Sequence, residues 1–207
     1  MRKAMTFIEL ISVIVIVAIL TAIATTMFSD NKLAAAATRL ITDIKYTQHL
    51  AVMEDQYRSG DANWQRRRWR IYINSAGDRS YTIFKVDSSA AAFNTPGTID
   101  NIALNPLTSG RLSGGFAGIA GLSGDQITDE MALSSQDVGS LTFGGSCGAP
   151  PGGAGMIGFD EMGRPYVWNG VNFSRLEDVC TITLGADNES HCIAIDNESG
   201  HTHWCDD

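Results

Sequence analysis

Residues 7–28 read FIELISVIVIVAILTAIATTMF. The stretch holds one charge, Glu9, and neither Pro nor Gly, and from Leu10 to Phe28 no charge occurs. At 1.5 Å per residue, a helix of about 20 apolar residues spans the roughly 30 Å hydrocarbon core of a bilayer. Residues 5–28 are therefore expected to form a transmembrane helix. A carboxylate inside such a run costs on the order of 2.5–3.5 kcal/mol at the helix centre, so Glu9 calls for a cationic partner. Ahead of the run stands a very short basic segment, Met1-Arg2-Lys3-Ala4.

Working outward, residues 29–58 read as an amphipathic continuation of the same helix. Leu33, Ala37, Leu40, Ile44, Thr47 and Ala51 recur at intervals of four and three and make one mostly apolar stripe. Lys32, Arg39, Asp43, Lys45, Gln48 and Asp55 fall mainly off it. Ser29-Asp30-Asn31 offers an alternative cap for a second helix, but no Gly or Pro forces a break. A continuous helix from about Thr6 to about Arg58 would be roughly 80 Å long. Its first half is apolar all round, and its second half has one face to bury.

The N-terminal stretch resembles that of type IV pilins and type II secretion pseudopilins. Arg2-Lys3-Ala4, then Met5-Thr6-Phe7-Ile8-Glu9-Leu10, then the run from Ile11 to Ala24 match the leader, the Glu spacing and the apolar helix of that family. Ala4 stands where Gly is commoner in the family, and Met5 where Phe is commoner. The resemblance covers roughly the first quarter of the chain. A second, shorter likeness is Phe159-Asp160-Glu161-Met162-Gly163-Arg164-Pro165, similar to the F-D-x-x-G-R-P turn of H-type minor pseudopilins.

The family resemblance implies a leader over 1–4, cleavage between Ala4 and Met5 by a prepilin peptidase, and N-methylation of Met5. It implies that Glu9 pairs with the N-terminal amine of an adjacent subunit and sets axial register. The implied partners are other pilin or pseudopilin subunits, the peptidase and methyltransferase, an inner-membrane assembly platform and membrane lipid. The alternative for the same stretch is a secretory signal cut after Ala22-Ile23-Ala24. Against it, the apolar run exceeds a typical 7–15-residue signal core.

The chain has 207 residues with 15 Lys and Arg against 23 Asp and Glu, a net charge of −8. That acidity disfavours general nucleic-acid binding, and DNA is not an expected partner. Beyond the helix, 59–207 is long enough for one compact β-rich domain. Its four cysteines, Cys147, Cys180, Cys192 and Cys205, lie in the C-terminal third. An even count beyond a helix with a basic leader points to disulfides in an oxidising compartment. The positive-inside rule keeps Arg2 and Lys3 cytoplasmic and sends the domain outward to the periplasmic side. Of the three pairings that four cysteines permit, Cys147–Cys180 with Cys192–Cys205 is favoured. Free thiols are the alternative, and zinc is disfavoured because no C-x-x-C occurs.

Arg58, Arg66, Arg67, Arg68 and Arg70 form a basic cluster. Arg66, Arg67, Arg68 and Arg70 are a candidate patch for DNA, anionic lipid or an acidic neighbour, with a solvated strand edge as the preferred reading. Alternation from Trp69 to Asn74 and from Tyr81 to Val86, around Ser75-Ala76-Gly77-Asp78, predicts a β-hairpin. Residues 88–135 are rich in Ser, Ala and Gly, with short strands expected at 99–104 and near 112–119. Ser140–Gly144 and Met156–Asp160 read as strands, Tyr166–Trp168 and Val171–Phe173 as a tight hairpin, and Thr181–Leu184 with Cys192–Ile195 as a last one.

Asp187-Asn188-Glu189-Ser190 recurs as Asp196-Asn197-Glu198-Ser199. Its oxygens are candidates for Ca²⁺, with polar turns preferred. Asn172, Asn188 and Asn197 head N-x-S sequons, read as chance. His191, His201 and His203 are read as unligated. No G-x-S-x-G, H-E-x-x-H or phosphate loop occurs, so no enzyme, cofactor or metal is expected. The expected fold is α+β and pilin-like, a long N-terminal helix packed on a mainly antiparallel C-terminal sheet. The expected function is a filament subunit, a minor pseudopilin of type II secretion or a minor type IV pilin. The alternatives are a pilus-tip module binding DNA, carbohydrate or secreted cargo, and a secreted enzyme beginning at Thr25.

Overall fold

In the computed structural model the described residues are 7–54, 56–61, 64–86, 96–115, 127–147, 154–168, 173–187 and 189–205, with backbone only for 22–31 and Arg66. One helix, α1 (Phe7–Met53), runs for 47 residues, about 70 Å. Ser29-Asp30-Asn31 lies inside it without a break. All six residues of the apolar stripe are buried, from Leu33 to Ala51. Each fully buried Leu or Ile contributes about 1.5–3 kcal/mol, so packing and not propensity secures this half of the helix.

Two details of the helix differ from expectation. It ends at Met53, not near Arg58. There the Glu54 carboxylate accepts hydrogen bonds from Trp69 Nε1 (3.0 Å), Lys85 Nζ (2.9 Å) and Gln56 Nε2 (2.9 Å), which draws the chain off the helix axis. Asp43 is buried, not solvated. Among the described residues no helix is long and apolar enough to cross a membrane. The span expected over 5–28 includes residues 5 and 6 and the side chains of 22–28, which lie outside the described residues.

Among the described residues nine strands follow: β1 (Arg70–Asn74), β2 (Ser80–Phe84), β3 (Ser140–Gly145), β4 (Ala154–Phe159), β5 (Pro165–Trp168), β6 (Phe173–Arg175), β7 (Cys180–Ala186), β8 (Glu189–Ile195) and β9 (Thr202–Trp204). All paired neighbours are antiparallel. The strands make two sheets where one was expected, a five-stranded β2-β1-β4-β5-β6 and a four-stranded β3-β7-β8-β9. β3 and β4, consecutive in sequence, belong to different sheets. α1 packs on both sheets through a shared core. Leu33, Leu40 and Ile44 meet Ile71, Ile157 and Phe159 from the first sheet and Ile182, Leu184 and Ile193 from the second.

The hairpins expected over 69–86 and 181–195 form as β1 with β2 and β7 with β8, the first pair joined through Gly77 at φ 61°. β9 was not foreseen; it is an edge strand on β8. The stretch 99–104 is no regular strand. A 3-10 turn, Ile99–Asn101, is held by Asn101 Nδ2 donating to the Pro96 carbonyl, and single bridges Phe84–Ile102 and Leu104–Arg111 follow. Two more 3-10 turns, Asp129–Met131 and Leu133–Gln136, sit under α1 and β2. The rest of the strand expected near 112–119, from 116 on, the 169–172 turn, and the sequons at Asn172 and Asn188 lie outside the described residues.

Both expected disulfides form, Cys147–Cys180 and Cys192–Cys205, closing separations of 33 and 13 residues. Each lies in the four-stranded sheet. Cys147 follows β3 and pairs with the first residue of β7, while Cys205 follows β9 and pairs back to β8.

Candidate functional site

Residues 7–21 of α1 expose their apolar side chains. Phe7 and Ile8 are 78% and 77% exposed, and Ile14, Ile16 and Leu20 exceed half. Continuous exposed apolar surface on this scale marks contact with lipid or protein. Glu9 stands in the first turn of this surface, itself exposed. Ala4 and Met5 lie outside the described residues.

Polar contacts that sequence reasoning missed fasten the second half of α1 to the domain, among them those of Asp43 and Gln48. Asp43 Oδ2 accepts from Tyr81 Oη on β2 (2.7 Å) and from Arg39 Nε one helical turn away (3.0 Å). Burial, reinforced by the Asp43 charge, raises the Tyr81 phenol well above its ordinary value. Asp43 follows Leu40 by three and precedes Thr47 by four, the spacing of the buried stripe, so its position carried the signal. Gln48 Nε2 donates to two carbonyls, Gly163 and Ser199 (2.8 Å each), joining α1 to two turns.

The first of those turns is the Phe159–Pro165 segment. Asp160 is fully buried, and its carboxylate accepts from the Met162 and Arg164 backbone N–H groups (3.0 and 2.8 Å) and from Arg164 Nε (2.7 Å). Gly163 takes a left-handed φ of 78°, where a side chain would be strained. The motif thus has a structural role, since it presents the Gly163 carbonyl to the helix.

Within the arginine cluster, Arg67, Arg68 and Arg70 are partly or wholly covered by the domain. β1 lies between β2 and β4, so Arg70 is on an inner strand, and it is only 1% exposed. Its Nε and one Nη donate to the Arg68 carbonyl, and its guanidinium lies 4.8 Å from the Phe173 ring centre. Burial, and then the Arg68 charge, lower the Arg70 pKa. Arg68 is stacked between Trp64 (4.6 Å) and Tyr166 (4.9 Å) and pairs with Glu161 (3.2 Å). Arg67 pairs with Asp61 at 3.3 Å. Arg66 lies in the 3-10 turn Trp64–Arg67, and its side chain is outside the described residues. Arg68 and Arg70 border a cavity of about 190 Å³ with Gln65, Gly158, Tyr166 and Phe173.

Of the two acidic repeats, Asp196–Ser199 leads into and forms a polar turn, while in the other Glu189 and Ser190 open β8 and Asn188 lies outside the described residues. Asn197 Nδ2 donates to the Glu177 carbonyl, Glu198 pairs with Arg175, and Asp196 faces His203 Nε2 at 3.4 Å. His201 and His203 stack on one another at 5.5 Å, and among the described residues no grouping suited to a metal ion occurs. Comparison with protein-family models, curated proteins and solved structures finds no match.

Proposed function

We propose that this chain is a subunit of a type IV pilus-like filament, either a minor pseudopilin of type II secretion or a minor type IV pilin. The observation that carries the reading is the division of α1. One continuous helix exposes apolar side chains over residues 7–21 and buries its stripe against the β domain from Leu33 to Ala51. The first half suits both a bilayer and a bundle of like helices, because both reward an all-round apolar surface. In this reading the N-terminus is cytoplasmic, residues 5–28 hold the monomer in the bacterial inner membrane, and the disulfide-bonded domain is periplasmic. A prepilin peptidase cuts between Ala4 and Met5, and Met5 is methylated. The assembly platform then moves the subunit into a helix bundle, periplasmic or on the surface, where Glu9 meets the terminal amine of a neighbour. A carboxylate in apolar surroundings is stabilised by such a cation, which makes the pairing a register device.

The test is expression with the assembly machinery and N-terminal sequencing of the mature chain. Met5 at the terminus supports the reading, and Thr25 refutes it in favour of a cleaved secretory signal. Glu9→Ala should stay membrane-inserted yet fail to enter filaments; normal incorporation would remove Glu9 from the mechanism. The alternative of a tip module that binds DNA gains no support from Arg68 and Arg70, because a duplex backbone is bound by exposed cations.

A further inference from the structure

The two disulfides sit on opposite faces of the four-stranded sheet. Alternation along β7 and β8 sends Ile182, Leu184, Ile193 and Ile195 into the core shared with α1, and Cys180 and Cys147 lie in that core at 0% and 1% exposure. Cys192 alternates with Ile193 and therefore points to the other face. Trp204 of β9 pairs with Ile193 and packs against the core, so its neighbour Cys205 also points outward. The same register places Cys205 opposite Cys192, and the Cys205 N–H donates to the Cys192 carbonyl at 3.0 Å. This bridge thus crosses from an inner strand to an edge strand on the outer face, and both of its cysteines are partly exposed.

We infer that Cys192–Cys205 is a thiol–disulfide exchange site for a dithiol, and that its reduction unlatches β9 while Cys147–Cys180 stays closed. Three observations select it. A thiolate must reach a sulfur to displace its partner, and of the two bridges this one lies outside the core. It closes 13 residues against 33, so folding secures it less against reduction. Its approach is one-sided, because displacement runs along the S–S axis. Beyond Cys192 that line passes over Thr183, its pair on β7, whereas among the described residues no strand pairs with the far side of β9. One thiolate of the dithiol attacks Cys205 Sγ, the S–S bond breaks, and Cys192 leaves as a thiolate. The second thiolate then attacks the reagent's own sulfur in the mixed disulfide and releases Cys205. The dithiol is oxidised to a disulfide, and its two electrons and two protons end on Cys192 and Cys205. β9 keeps its three residue pairs to β8 and the Trp204 packing but loses its covalent tie. The inference stands whether or not the chain assembles into filaments.

The experiment treats the full-length chain in neutral detergent with dithiothreitol, quenches by alkylation and reads each cysteine by peptide mass. Cys192–Cys205 should open at least about tenfold faster than Cys147–Cys180, and the two rates should converge to within about threefold in denaturing urea. In the singly reduced chain the Trp204 and Cys205 amides should exchange about tenfold faster or more, with the β7 amides unchanged. A reduced thioredoxin-type C-x-x-C protein whose second cysteine is replaced by serine traps the mixed disulfide, expected on Cys205. Two sources of the dithiol are separated by the intact C-x-x-C protein. Opening faster than with equimolar dithiothreitol assigns a protein dithiol, and slower opening assigns a small one. The site is overturned by equal native rates, by earlier opening of Cys147–Cys180, or by a difference that persists in urea. Unchanged exchange in β9 overturns the unlatching, and trapping on Cys192 overturns the direction of attack.

Discussion

Replacing Tyr81 by Phe removes one oxygen from the most deeply buried polar contact between α1 and the sheets. Tyr81 is 1% exposed and Asp43 5%, with Oη and Oδ2 2.7 Å apart. A hydrogen bond to a charged group is worth about 1.5–3 kcal/mol, and here its loss leaves Asp43 Oδ2 with Arg39 Nε. The expected destabilisation is about 2 kcal/mol. For a chain of this size that corresponds to a fall in Tm of about 4–8 °C. The contact also has a pH signature. The folded phenol titrates above its unfolded value of about 10, through burial first and the Asp43 charge second. Its contribution is therefore complete below pH ~10 and is lost as pH rises through the folded pKa. Wild type should lose stability steeply in that alkaline window, and Tyr81→Phe should lose it less steeply. Urea unfolding of the full-length chain in detergent, from neutral pH upward, measures both effects. An Asp43→Asn partner completes a double-mutant cycle, with a coupling of about 1–2 kcal/mol expected. A loss below about 0.5 kcal/mol, or an unchanged alkaline slope, would refute the reasoning.

Removing Cys147–Cys180 by paired Cys→Ser substitution should cost more than removing Cys192–Cys205, because the closed separations are 33 and 13 residues. The chain-entropy scale gives about 4 and about 3 kcal/mol, and equal or reversed losses in urea unfolding would argue against that origin. Gln48→Ala should destabilise by about 1–2 kcal/mol and speed amide exchange in the two turns whose carbonyls it holds, at Gly163 and Ser199. Unchanged exchange there would mean that the turns hold themselves. Together with the Glu9 experiment, these probe the helix and its fastening separately.

Local pattern carried part of this architecture. The apolar run and the Leu33–Ala51 stripe are periodic at 3.6 residues, and α1 follows them because no Pro or Gly intervenes. The β1–β2 hairpin was legible because its strands are adjacent in sequence. The split into two sheets was not, since β1 pairs with β4 across a gap of some 80 residues that no local pattern encodes. The same gap hid the cavity. Alternation around Arg70 told which side of β1 it occupies, but not that Phe173 and Tyr166 would stand beside it. The basic cluster consequently read as surface, when Arg68 and Arg70 are stacked on aromatic rings and largely covered. Asp43 was misread for a narrower reason: a charge in a helical stripe is assigned to water unless its partner, here Tyr81, is known.

The two disulfides also have a mechanical consequence. A pull on the chain beyond Cys205 enters the Cys192–Cys205 bridge first, so tension bypasses β9 and reaches β8 covalently. The Cys147–Cys180 bridge likewise couples the far end of β3 to the start of β7, and those two strands cannot be unzipped from that end. A pull on α1, by contrast, meets the sheets through the stripe of side chains between Leu33 and Ala51 and through the Asp43 and Gln48 contacts. That interface runs along the direction of load and resists it in shear, many contacts at once. Under tension the four-stranded sheet would behave as a closed buckle, and the helix as a strap that can yield only as a whole.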